Sequence, residues 1–175
     1  MPYQYKREPL TADEANRLAN ACKTHEEKLV IWTLLDTGLR VSEFANLKRD
    51  NLDWQQHRLR VYGKGGPYGK KTKLRVIPLS PRVAPLLEGH LSLHESVGIS
   101  PRAIQRLVKK IANRAQVSRK LSPQVLRHTY SVTCIQKGIS LPALQRLLGH
   151  DHLSTTEIYL NLSPEMVIEE FQRKW

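Results

Sequence analysis

Apolar positions along the chain recur mostly at helical spacing. The segment 28–35, KLVIWTLL, is apolar nearly all round and predicts a helix buried at the centre of the molecule. Over 101–116, Ile104, Leu107, Val108, Ile111, Ala112 and Ala115 follow the i, i+3, i+4, i+7 pattern of a core-facing stripe. The opposite face of that stretch carries Arg102, Arg106, Lys109, Lys110 and Asn113. Helix starts are marked chemically. Thr11-x-x-Glu14 and Thr24-x-x-Glu27 read as capping boxes, each side chain satisfying an orphan backbone N–H. Ser80-Pro81, Ser100-Pro101, Ser122-Pro123 and Ser163-Pro164 place a capping serine before a proline that loses no hydrogen bond in the first turn. Gly38, Gly138 and Gly149 stand where helices should stop. Helices are expected over 12–22, 25–37, 41–47, 81–93, 101–116, 123–137, 142–148, 154–161 and 164–174.

Between the third and fourth of these the period changes to two. Arg58-Leu59-Arg60-Val61-Tyr62 and Leu74-Arg75-Val76-Ile77 read as strands joined by GKGGPYGKKTK, with a short strand near Asn51–Trp54 before them. No repeat or low-complexity linker divides the chain. The expectation is one α+β domain over residues 1–175, mostly helical, with a small three-stranded antiparallel sheet.

Composition narrows the partners. At 40% hydrophobic and 25% charged residues the chain has the makings of a packed core, so a disordered basic tail is excluded. No apolar run approaches the ~18–20 residues of a membrane-spanning helix. The segment MPYQYKREPL lacks the apolar stretch of a secretion signal. Cys22 and Cys134 form neither a CxxC nor a disulfide framework, which fits a reducing cytoplasm and argues against a zinc finger. The net charge is +12, and it is unevenly spread. Residues 54–87 and 96–150 contain 18 Lys or Arg and no Asp or Glu, leaving −6 elsewhere. Such segregation favours a polyanion, because basic side chains gain by releasing counterions from a phosphate backbone.

Three local patterns carry chemistry. Thr37-Gly38-Leu39-Arg40-Val41-Ser42-Glu43 sets an arginine just after a buried helix. Leu126-Arg127-His128-Thr129 lies near the start of a capped helix. Leu147-Leu148-Gly149-His150 is followed by Thr155-Thr156 and Tyr159. Their order and spacing, with the Gly63-Lys64-Gly65 hairpin between the first two, resemble the tyrosine recombinase family of phage integrases and Xer proteins. The resemblance runs from about Leu10 to Tyr159.

Cutting DNA by phosphoryl transfer needs a nucleophile, neutralisation of a negatively charged transition state, and a proton for the departing oxygen. Two arginines suit the second task, since each presents a planar fork of donors to phosphate oxygens. A phenol ionises only near pH ~10, so a nucleophilic tyrosine needs positive charge or a base beside it. The resemblance implies that Tyr159 forms a 3′-phosphotyrosyl link, conserving the bond energy so that rejoining needs neither ATP nor a metal. It implies further that Arg40 and Arg127 clamp the scissile phosphate and that His150 hydrogen-bonds it and assists proton movement. Lys64 would protonate the leaving 5′ oxygen, with Lys70, Lys71 and Lys73 as other candidates in a long hairpin loop. Glu43 would buttress Arg40. The family usually carries histidine, sometimes lysine, three residues before the second arginine. Here that residue is Gln124, which hydrogen-bonds but cannot shuttle a proton at neutral pH, so a slower reaction than a histidine version is expected. His150-Asp151-His152 suggests a metal site, but no third ligand at sensible spacing joins it.

The resemblance implies the catalytic-domain fold of that family, no cofactor, and duplex DNA as partner. Arg102, Arg106, Lys109 and Lys110 on one helix, with Lys70 and Lys71, are the candidate DNA contacts. Val167, Phe171 and Trp175 form a terminal stripe that would dock on a neighbouring protomer or on its own domain. Full family members carry an N-terminal clamp domain, which nothing before Leu10 provides, so a catalytic domain alone is expected. The leading function is a site-specific recombinase or integrase acting on the nucleoid. Topoisomerase-like relaxation by the same chemistry, and a DNA-binding module weakened at Gln124, are the alternatives.

Overall fold

The computed structural model describes residues 8–63, 73–150 and 164–174. Helices α1 (Ala12–Asn20), α2 (His25–Thr37) and α3 (Val41–Ala45) come first. A three-stranded sheet follows, made of β1 (Leu52–Asp53), β2 (Arg58–Gly63) and β3 (Lys73–Pro78). Then come α4 (Val83–Leu93), α5 (Pro101–Arg114), α6 (Pro123–Gln136), α7 (Leu141–Leu148) and α8 (Pro164–Lys174). The sheet is antiparallel in the order β1-β2-β3, with Leu59 opposite Ile77 and Val61 opposite Arg75. The mostly helical architecture and the small sheet are those expected from the sequence. The expected helix over 154–161 lies outside the described residues.

Capping behaves as the sequence implies. Thr11 and Thr24 accept from the amides of Glu14 and Glu27, whose carboxylates return to the cap backbone. At Ser80-Pro81 the serine also caps: its hydroxyl accepts from the Val83 amide at 3.3 Å while donating to Asp36 Oδ2 at 2.6 Å, and its carbonyl accepts from the Ala84 amide at 3.0 Å, before α4 proper begins at Val83.

The core sits around α2. Leu29, Val30, Ile31, Leu34 and Leu35 are all buried, and α1, α4, α5 and α6 pack about them. Burial on nearly every side is what an all-apolar helix requires. On α5 only the stripe of Ile104, Val108, Ile111 and Ala112 is buried, leaving the basic face outward.

One charged group is buried with this core. Glu27 accepts from Arg114 Nη1 at 2.7 Å and Nη2 at 3.2 Å, and from the Lys23 amide at 2.6 Å, tying α2 to α5. The Arg114 hydrogen bonds outweigh the opposing effect of burial and, with the Lys23 and Thr24 amides, hold the carboxyl at about 2, below its ordinary 4.5. A depressed carboxylate stabilises the fold fully above its unfolded value and loses that contribution as pH falls towards the folded one. Unfolding midpoints in urea should therefore decline from about pH 4.5 down to about 2. In Glu27→Gln the decline over that window should be visibly shallower. A slope equal to that of the parent protein would remove Glu27 as its source.

Candidate active site

The site is assembled where three helix ends meet. α2 stops at Gly38, whose φ of 64° is left-handed and whose N–H returns to Leu34 O. The arginine of the first motif, Arg40, follows in extended backbone and leads into α3. Gly38 is required on two counts. Its backbone conformation is one that Cβ-bearing residues avoid, and a Cβ there would stand 2.3 Å from Cδ1 of the buried Tyr130 ring.

Arg127, one turn into α6, is buried and bridges two helix ends. Its Nη1 donates to Gly38 O and its Nη2 donates to Leu148 O at 2.8 Å. Both acceptors are carbonyls at helix C-termini, where the aligned peptide dipoles leave partial negative charge, so a guanidinium is well placed between them. Nη2 also lies 3.3 Å from His150 Nε2. Arginine has no acceptor, so a hydrogen bond at this contact has Nε2 as its acceptor. α7 ends at Gly149 with φ 75°, and Gln145 fixes the turn that follows. The Gln145 backbone carbonyl accepts from the amides of Gly149 at 2.9 Å and His150 at 3.1 Å, and its side chain donates to His150 O at 3.2 Å. The glycine before the histidine therefore turns the chain so that His150 returns to Arg127.

Arg40, Gln124 and Arg127 line one pocket of about 270 Å³, with Val41, Ser42 and Pro123. Gln124 is exposed at the N-terminal turn of α6, where Ser122 caps the Val125 amide. A helix N-terminus carries partial positive charge, so this pocket brings together two arginines, an amide side chain and a helix dipole. Arg40 and Ser42 also border a larger groove of about 910 Å³, which extends along Lys48, Asn51, Tyr62 and Gly63. Gly63 directly precedes Lys64 in sequence. Among the described residues, no cluster of His, Cys, Asp or Glu is arranged to hold a metal ion.

Of the residues singled out from sequence, Arg40, Gln124, Arg127 and His150 are brought together. Tyr159, Lys64, Lys70 and Lys71 lie outside the described residues, as does the side chain of Lys73. Arg102, Arg106, Lys109 and Lys110 are exposed on α5, none of them lines this pocket, and Lys110 lies 3.8 Å from Glu27. Glu43 accepts from the Arg40 amide at 2.9 Å and from Arg40 Nη1 at 3.2 Å, the arrangement of a buttress.

Sequence reading missed Arg75. It is buried in β3, forks onto both oxygens of Glu43 at 2.7 Å each, and donates from Nε to Leu147 O at 2.9 Å. Burial pushes the Glu43 carboxyl up, but the hydrogen bonds and charge of Arg75, aided by Arg40, outweigh it and hold the group below its ordinary range. The available signal was positional. Arg75 shares a strand face with the apolar Ile77 and pairs with the apolar Val61, an inward place for a guanidinium.

The sequence matches the model of the phage integrase family over residues 8–166. A tyrosine recombinase of Thermosipho africanus is 33% identical over 168 residues, covering 89% of this chain and 58% of that protein. Tyrosine recombinase XerA of Pyrococcus horikoshii is 30% identical over 178 residues, covering 94% of this chain and 60% of that one. Among solved structures, XerA recombinase superposes with a TM-score of 0.84 at 26% identity, over 97% of this chain and 66% of that chain. The XerH site-specific recombinase bound to palindromic difH substrate, a post-cleavage complex, has the same fold at a TM-score of 0.75 and 21% identity, over 98% of this chain and 54% of that one. The chain thus spans about three-fifths of the length of the curated relatives it matches.

Proposed function

The chain belongs to the phage integrase family, and from that premise we propose that it is the catalytic portion of a site-specific DNA recombinase or integrase. Tyr159 gives up its phenolic proton with the help of His150 and attacks a backbone phosphorus, forming a 3′-phosphotyrosyl bond as the bond to the 5′ oxygen breaks. Lys64 supplies the proton that the departing oxygen needs. Attack by the 5′ hydroxyl of a partner strand reverses these events and frees the tyrosine, so no high-energy cofactor is consumed.

The single observation that carries this reading is the pocket in which Arg40 and Arg127 meet the N-terminal turn of α6. Charge that develops on phosphate oxygens is met there by donors already fixed in place, which is the largest lever on such a reaction. His150 lies against Arg127 and serves the same phosphate. Gln124 contributes positioning by hydrogen bonding and no proton transfer.

The substrate is duplex DNA, engaged by the basic face of α5 through Arg102, Arg106, Lys109 and Lys110 and by Lys70 and Lys71 of the hairpin. Those cations hold the backbone and carry no sequence information of their own. Protomers associate on DNA through α8. Its Arg173 donates to Gln136 O of α6 at 2.9 Å, and Val167, Ile168 and Phe171 are exposed. Its place of action is the cytoplasm, on the nucleoid.

Incubation with a duplex carrying a nick beside the cleavage point tests the reaction, because loss of the short 5′-hydroxyl fragment prevents rejoining. A denaturation-resistant protein–DNA adduct should accumulate in the presence of a chelator. Tyr159→Phe should form none while still retarding the duplex. Adduct formation by Tyr159→Phe at the parental rate would refute the assignment.

A further inference from the structure

The arrangement around Glu43 contains a division of charge. One carboxylate lies between two arginines, and its hydrogen bonds are unequally shared. Arg75 takes both oxygens in a planar fork at 2.7 Å each. The guanidinium of Arg40 makes one contact, at 3.2 Å. The fork geometry is the strong form of an arginine–carboxylate pair, and here it is almost wholly removed from water. The Arg75 and Glu43 side chains are 6% and 9% exposed, whereas that of Arg40 is 47% exposed. The buried arginine therefore absorbs the carboxylate, and the exposed one keeps its positive charge facing the pocket.

Arg75 acts on the other half of the site as well. Its Nε holds Leu147 O, one residue before the Leu148 carbonyl that Arg127 holds. Its Cδ, Nη1 and Nε pass 3.0–3.4 Å from where a Cβ at Gly149 would stand. One side chain thus sets both the carboxylate that orients Arg40 and the helix end that delivers His150.

We propose that Arg75 is a positioning residue for strand cleavage: it neutralises Glu43 so that Arg40 presents net positive charge to the scissile phosphate, and it locks the end of α7 behind His150. This rests on the recombinase reading, and it goes beyond the residues to which that reading assigns chemistry or phosphate contact. Without Arg75, Glu43 would turn to Arg40, drawing its guanidinium off the pocket and cancelling its charge. Lysine at this position would keep a cation near Glu43 but would lose the fork and the bond to Leu147 O.

The test uses Arg75→Met, Arg75→Lys and the double variant Arg75→Met/Glu43→Gln in the whole chain. Cleavage is followed on the nicked duplex under single-turnover conditions at saturating protein. Arg75→Met should slow adduct formation by about 10²-fold, the penalty for a misplaced reacting group, with little change in the protein concentration giving half-maximal DNA binding. Removing the stranded carboxylate in the double variant should recover about tenfold, although it deletes one more native group. Arg75→Lys should fall between the parent and Arg75→Met. A double variant no faster than Arg75→Met, or an Arg75→Met at the parental rate, overturns the proposal.

A second readout needs no DNA. Guanidinium NMR signals of Arg40 should shift in Arg75→Met, as Arg40 takes over both Glu43 oxygens, and return towards the parental position in the double variant. Unchanged Arg40 signals overturn the proposal. If Arg75→Met does not fold, Arg75→Lys and the double variant carry both measurements. If the parent forms no adduct while the Arg40 signals respond, the recombinase reading fails and the division of charge stands.

Discussion

Arg127→Ala is expected to lose both function and stability. On the proposed mechanism one of two guanidinia facing the phosphate disappears, and cleavage should fall by about 10³-fold, the effect of deleting a fixed donor from a transition-state site. The same side chain joins the carbonyl ends of α2 and α7. Each charged hydrogen bond of this kind contributes about 1.5–3 kcal/mol, and the orphaned carbonyls would be left in a buried site. A loss of about 3 kcal/mol in urea unfolding should accompany the kinetic defect. Arg127→Lys distinguishes the two roles. An ammonium keeps a charge near the pocket but cannot span both carbonyls, so cleavage should recover in part while stability stays near that of the alanine variant. Parental stability in Arg127→Ala would mean that the two helix ends are held by other contacts.

Gly38→Ala should be nearly as damaging, for reasons of space and backbone. An alanine at φ 64° is strained, and its Cβ would meet Cδ1 and Cε1 of Tyr130 at 2.3 and 2.8 Å. The left-handed conformation costs about 1–2 kcal/mol and the overlap about 1–3 kcal/mol more, so thermal unfolding should shift down by a total of about 3 kcal/mol. The carbonyl that Arg127 holds belongs to this residue, so the strain should also reach the site and reduce cleavage. Shortening the ring in Gly38→Ala/Tyr130→Ala should make the two changes less costly together than their separate sum. Strict additivity would contradict the contact as the cause. The raised ionisation range of Tyr130, caused first by burial, fits this packing role.

Much of this was readable in the chain because local rules and long-range structure agree. The capping boxes at Thr11 and Thr24, the apolar sides of α2 and the stripe on α5 are properties of short windows, and the structure keeps each of them. Three spaced motifs single out Arg40, Arg127 and His150; in the structure the first two line one pocket and His150 Nε2 lies 3.3 Å from Arg127. Other features depend on partners far along the chain. Nothing near Arg75 announces that Glu43, 32 residues away, will fill its fork. β3 alternates charged and apolar residues in a way that also permits Leu74 and Val76 to face inward, yet they are exposed and Arg75 is buried. Arg127 reads as a phosphate ligand from its motif, while its bridging of two helix ends emerges only when α2 and α7 are seen side by side.

The identity of the nucleophile is best settled on the adduct itself. A 3′-end-joined duplex trapped on the protein, digested with nuclease and protease, should yield one peptide bearing a residual phosphonucleotide. Fragmentation in the mass spectrometer should place that group on Tyr159, with the released strand carrying a free 5′ hydroxyl. Attachment at any other residue, or a link through the 5′ phosphate, would contradict the mechanism.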